Sequence, residues 1–164
     1  MPVAKRTGRI SASQVKKILA SYAERGVFRS FSQVPGEKGK AEFRFNWLWN
    51  LPFHLTFDPV TATLSFRKLL PGIPRGTQLE TELKKFIGDF SEAARPDHRR
   101  IDPVRLSLRY SNQRGTVALT FRILEREYEY GVRKAVNVVN EIFLSFLNVR
   151  FPEYMAAEFK LPEE

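Results

Sequence analysis

Two histidines, no cysteine and a spread of arginines bound the chemistry open to this chain. His54 falls in the middle of an alternating apolar stretch. His98 stands in a polar loop, Arg95 to Pro103, with Asp97, Arg99, Arg100 and Asp102. Asp97 and His98 with Asp102 contain the parts of an acid–base group, but a charged connection between a helix and a strand accounts for the same residues. A metal centre wants clustered ligands, and neither a His-Glu-x-x-His motif nor a paired-histidine spacing occurs. Without cysteine there is no disulfide, no thiolate nucleophile and no sulfur-ligated metal. A Gly-x-Ser-x-Gly elbow, a Walker-type loop and a Gly-x-Gly-x-x-Gly loop are all missing. The sequence therefore predicts a protein that is not an enzyme, with no catalytic, cofactor or metal residues.

Arginine is the residue type whose placement carries information. Arg44, Arg67, Arg105, Arg109 and Arg122 fall in segments that read as strands, at positions of opposite parity to the large apolar residues. Side chains alternate across a sheet, so burying the apolar parity turns these five guanidinium groups to the other face, among Asn46, Thr63, Ser65, Ser107 and Thr120. Guanidinium forks suit phosphate and carboxylate, and a flat basic sheet suits a nucleic-acid backbone. No aromatic residue is expected on that face for base stacking. A solvated face with Arg–Glu pairs using Glu42 or Glu125, or a protein interface, fits the same pattern.

The net charge of +9 is uneven: residues 1–40 carry nine Lys or Arg against Glu24 and Glu37, a balance of +7. That asymmetry suits an anionic partner, nucleic acid included, or simply solubility.

These side chains need a frame, and the stretch Glu42 to Arg67 supplies its centre. Every odd position from Phe43 to Phe57 is apolar, including Phe45, Trp47, Trp49, Leu51, Phe53 and Leu55. Period two marks a strand with one buried face. Asn50-Leu51-Pro52 interrupts it, through either a bend in one strand or a tight turn between two. Asp58 to Thr61 reads as a turn, and Leu64 and Phe66 continue on a returning strand. Trp47 and Trp49 fill a core or floor an apolar pocket. Val27 to Val34 forms a first strand, ahead of a Pro35–Lys40 turn.

Helical signals flank these strands. Residues 1–10 read as a basic flexible tail, with no apolar run of a secretory signal after it. Ser11 and Gln14 form a capping box, with Ile10 and Val15 as a staple. Val15, Ile18, Leu19 and Tyr22 make one stripe, and Gly26 stops the helix. Thr77 and Glu80 open a second helix whose buried stripe is Leu79, Leu83, Phe86, Ile87 and Phe90. A hairpin follows, Val104 to Tyr110 and Thr116 to Ile123, around a loop from Ser111 to Gly115. A long helix from about Gly131 to Arg150 has apolar residues over more than one stripe, so it should cover the sheet. Pro152 breaks it. Tyr154, Met155 and Phe159 then dock on the chain's own core or form a dimer contact.

The expectation is one α+β domain over 11–164: an antiparallel sheet with helices packed on one face, in the order α-β-β-β-α-β-β-α. No apolar run approaches the ~20 residues of a membrane span. That element order, the hairpin leading into a long apolar helix and the ending Phe151-Pro152-Glu153-Tyr154 resemble the type III secretion chaperone-like fold and its YbjN-type bacterial members. The resemblance implies a cytoplasmic homodimer that binds protein segments without catalysis. Secretion chaperones are usually acidic, whereas this chain is basic. The rival expectation is a nucleic-acid-binding module.

Overall fold

Alternation fixes the sheet. In the computed structural model, which describes residues 11–92 and 100–160, six strands form one antiparallel sheet in the order β1-β2-β3-β4-β6-β5. The strands are β1 (Arg29–Pro35), β2 (Ala41–Trp47), β3 (Leu51–Asp58), β4 (Thr63–Leu70), β5 (Leu106–Gln113) and β6 (Thr116–Ile123). The helices are α1 (Ala12–Glu24), α2 (Gln78–Asp89), α3 (starting at Tyr128) and α4 (Pro152–Phe159). Four strands precede α2 rather than three, and a short helix closes the chain; the α+β class and the one-sided cover are as expected. The tail 1–10 and the group Asp97-His98 lie outside the described residues.

Large rings turn inward along β2 and β3. Phe43, Phe45, Trp47, Phe53, Leu55 and Phe57 are all buried, as are Leu64 and Phe66 on β4 and Val117, Leu119, Phe121 and Ile123 on β6. Each such side chain contributes about 1.5–3 kcal/mol through burial. The Phe45 ring stacks on Phe28 at 4.1 Å and Trp47 meets Phe53 at 5.1 Å. Trp47 is therefore core filling. Trp49 departs from the expected alternation: it stands in a turn and is 40% exposed.

That turn decides the question at Pro52. The Leu51 N–H donates to the Leu48 carbonyl at 3.1 Å, and Trp49 and Asn50 both adopt positive φ, 55° and 58°. Paired positive φ values give a turn whose twist matches antiparallel strands, so β2 and β3 are two strands of a hairpin. Trp47 pairs with Leu51 and Asn46 with Pro52, which keeps the same parity inward on both sides of the turn.

Helix α1 carries the expected reciprocal cap. Gln14 N–H donates to Ser11 Oγ at 3.3 Å, and Ser11 N–H donates to Gln14 Oε1 at 2.8 Å. Its partner in the expected staple, Ile10, lies outside the described residues. At α2 only half of the capping box forms. Glu80 N–H donates to Thr77 Oγ1 at 3.3 Å, but the Glu80 side chain goes elsewhere.

Helix α3 starts at Tyr128, earlier than Gly131. Gly131 is there for proximity, because a Cβ would come within 2.8 Å of Ile123 Cγ1. The helix runs as α to Glu141, loosens into a π segment over Ile142–Leu147, and regains an α turn over Asn148–Arg150. Its buried face (Val132, Ala135, Val136, Val139, Ile142, Phe143, Phe146, Leu147) covers the sheet. Pro152 starts α4 as its first residue, where the missing N–H costs nothing.

Candidate functional site

Among the described residues the α-helices pack on one face of the sheet, and none of them covers the other. Cross-strand register brings its residues together: Arg109 opposes Thr120, which opposes Ser65 and through it Thr56, while Arg122 opposes both Thr63 and Ser107. Arg67, Arg109 and Arg122 are exposed there, and none has an ion-pair partner among the described residues. Arg44 is exposed too, but its Nε donates to Glu42 Oε2 at 2.6 Å. That is the Glu42 pairing anticipated for a solvated face, between neighbours on one strand rather than across two. The exposed large hydrophobic residues are Val27, Trp49, Val60, Val104, Leu144 and Val149, all outside the strands. This face thus offers guanidinium, hydroxyl and amide groups, and among the described residues its one exposed ring is the His54 imidazole, opposite Arg44.

Arg105 does not belong to the set. It precedes β5, which starts at Leu106, so strand parity does not govern its side chain. Its Nη2 donates to Glu127 Oε1 at 2.9 Å, and its guanidinium lies 3.8 Å from the centre of the Tyr130 ring. The Glu127 carboxylate raises its pKa further. The Tyr130 hydroxyl in turn accepts from the Asp102 N–H at 2.9 Å. Arg105 is a clasp between the β5 entrance and the start of α3.

The open face is not continuous. β3 pairs with β4 only at Thr56–Ser65, Phe57–Leu64 and Asp58–Thr63; toward Leu51 the two strands part. On its other side, β4 bulges against β6, with a register shift between Phe66 and Leu70. Pro52, which has no N–H to give to a ladder, pairs with β2 but lies on the part of β3 that has no partner in β4. A cavity of about 390 Å³ opens in this gap. Its floor holds Phe53, Phe66, Leu69, Phe143 and Phe159, and its rim holds Glu42, His54, Thr56, Arg67 and Lys68. Phe143 sits in the π segment, and such segments occur often at functional sites. His54, expected in mid-strand, is exposed at this rim with no hydrogen bond to a described residue.

A second polar group, which sequence reasoning missed, joins α2 to the sheet edge. Glu80, only 6% exposed, accepts from Gly76 N–H at 2.8 Å, from the Tyr110 hydroxyl at 2.8 Å and from Asn112 Nδ2 at 3.0 Å. The Gly76 bond first, then that of Tyr110, holds its carboxyl below the ordinary 4.5. Burial first, and then Glu80, pushes the Tyr110 hydroxyl well above its ordinary value. Asn112 also donates to the Ile73 carbonyl at 2.9 Å and accepts from Gly115 N–H at 3.0 Å. Its satisfied partners mark this group as structural. The expected Ser111–Gly115 loop shrinks accordingly to Arg114-Gly115, and Asn112 is a strand residue.

Tyr154, Met155 and Phe159 dock on the chain's own core. Met155 is 1% exposed, the Tyr154 hydroxyl donates to the Pro71 carbonyl, and the Phe159 ring packs 5.7 Å from Phe143. Burial raises the Tyr154 hydroxyl as well. Among the described residues no group of His, Cys, Asp and Glu has the geometry to hold a metal, and no helix is long and apolar enough to cross a membrane.

No protein-family model matches this chain, and no curated protein or solved structure does either.

Proposed function

We propose that this protein is a non-enzymatic binding module that holds an acidic, extended segment of a partner protein against the open face of its sheet. One observation carries the reading: Arg67, Arg109 and Arg122 stand exposed on that face among hydroxyl side chains, with no ion-pair partner among the described residues. Guanidinium forks spaced across three strands match carboxylates spaced along an extended chain. The likeness of element order to the type III secretion chaperone-like fold supports a protein partner, and with it a cytoplasmic homodimer.

The alternative is a nucleic-acid-binding module, favoured by the net charge of +9 and its concentration in residues 1–40. No Phe, Tyr or Trp is exposed on the described strands, where His54 is the one exposed ring, and this counts against single-stranded recognition by stacking.

The test is fluorescence anisotropy with a labelled glutamate-rich peptide and with an oligonucleotide of equal charge, for the wild type and for Arg67→Glu/Arg109→Glu/Arg122→Glu. Peptide binding that falls at least tenfold in the triple variant supports the proposal. Equal binding of peptide by both proteins overturns it. Tighter oligonucleotide binding with a steep salt dependence establishes the alternative instead. The dimer is read separately, by light scattering across the micromolar range, where a monomer would refute it.

A further inference from the structure

The cleft between β3 and β4 differs in chemistry from the open face around it. We propose that it is a binding site for a single-chain aliphatic carboxylate, a medium-chain fatty acid in size, with the tail against the phenylalanines and the carboxylate at the rim. The proposal stands apart from the partner-segment reading, although Arg67 serves in both.

Four observations converge. The strands part at a defined place, where the β3–β4 register ends at Thr56–Ser65, just before β4 bulges against β6 between Phe66 and Leu70. The gap they leave, about 390 Å³, falls in the size range of small-molecule sites and suits one acyl chain rather than the two of a bilayer lipid. Its walls are apolar and aromatic, with Phe53, Phe66, Phe143 and Phe159 contributed by β3, β4, α3 and α4. The helix wall itself is built from the π segment that carries Phe143.

Charge at the mouth selects the headgroup. Arg67, Lys68 and His54 line the rim, and none has a hydrogen-bond or ion-pair partner among the described residues. Among the described residues that line the rim the one anion is Glu42, and it is already matched by Arg44 at 2.6 Å. An incoming carboxylate therefore meets two free cations and a neutralised acid, while a cationic amphiphile meets repulsion. A neutral alcohol of the same length gains the tail contacts alone.

The experiment titrates the full chain with dodecanoate below its aggregation threshold, by calorimetry and by tryptophan emission. The reporters are already in place: Trp47 lies 5.1 Å from Phe53, and Trp49 lies 6.4 Å from Phe143. The expected result is saturable binding of one molecule per chain, weakening about fourfold for each methylene removed. Dodecyltrimethylammonium should not compete. Arg67→Glu/Lys68→Glu, both exposed, should weaken dodecanoate at least tenfold with an unchanged unfolding midpoint. Unsaturable uptake, equal binding of the cationic amphiphile, or indifference to the charge reversal would each overturn the site. Dodecanoate binding in a protein that ignores acidic peptides would leave this inference standing and remove the partner-segment reading.

Discussion

The Tyr110 hydroxyl donates to Glu80 Oε2 at 2.8 Å, joining strand β5 to helix α2 across thirty positions of sequence. Glu80 is held ionised by this bond and by the Gly76 N–H, so its carboxyl titrates below the ordinary 4.5. A group whose pKa is depressed by folding stabilises the fold above its unfolded value. That contribution is lost as pH falls through the lowered folded value. Stability should therefore decline below about pH 4.5, and Glu80→Gln, while less stable at neutral pH, should show a shallower decline. Urea midpoints measured from pH 7 to pH 3 check the difference in slope. In Tyr110→Phe the carboxyl should titrate closer to 4.5, as read from the carboxyl carbon shift by NMR.

Gly131 faces Ile123 so closely that an added Cβ would lie 2.8 Å from Ile123 Cγ1 and 3.4 Å from Leu106 Cδ1. Gly131→Ala should destabilise by about 1–3 kcal/mol through overpacking, despite alanine's better helix propensity. In a double-mutant cycle, Ile123→Ala should cost less in the Gly131→Ala background than alone. Additive losses would mean that the two positions do not touch.

The β5–β6 turn holds Arg114 at φ 54° and Gly115 at φ 87°. Asparagine tolerates that region better than arginine, so Arg114→Asn should stabilise by about 0.5 kcal/mol, whereas Gly115→Ala should cost about 1–2 kcal/mol. Chemical denaturation of the two single variants decides it, and the signs must differ.

The π segment Ile142–Leu147 accommodates extra chain within a helix whose two flanks both stay on the core. Deleting Leu144, which is 41% exposed, should let the segment relax to an α-helix and keep cooperative unfolding. Its cost should be smaller than the about 3–5 kcal/mol expected for Phe143→Ala. Far-UV circular dichroism and urea unfolding provide the comparison.

Much of this architecture was legible because parity is a property of backbone geometry alone. Phe43–Trp47 and Leu51–Phe57 could alternate only as strand, and the arginines of β2, β4, β5 and β6 had to follow. Arg105 escaped because parity holds inside a strand, and β5 begins one residue later. In sequence Glu80 looks like a local cap; its distant partners, Tyr110 and Asn112, are brought in by tertiary packing. The sequence at Asn50-Leu51-Pro52 leaves a bend and a turn both open, because proline is the visible breaker; Trp49 and Asn50 make the turn, with tryptophan in a conformation that its side chain does not advertise. The cleft left a trace that went unread. After Leu64 and Phe66 the alternation slips, since Arg67-Lys68 and Leu69-Leu70 are like pairs, and a slip in parity is how a bulge is written in sequence.

In this sheet every pairing but one joins strands consecutive in the chain. The exception is β4 against β6, where Leu70 meets Val117 and Thr63 meets Arg122 across the whole of α2 and β5. The polypeptide can thus assemble a four-stranded meander and a hairpin locally, but must close a long loop before it has a continuous core. Closing that seam is the step expected to limit folding, which refolding and unfolding rates against urea would check. Substitutions at Phe66, Leu119 and Phe121 should slow refolding, whereas those in the β2–β3 hairpin should chiefly hasten unfolding.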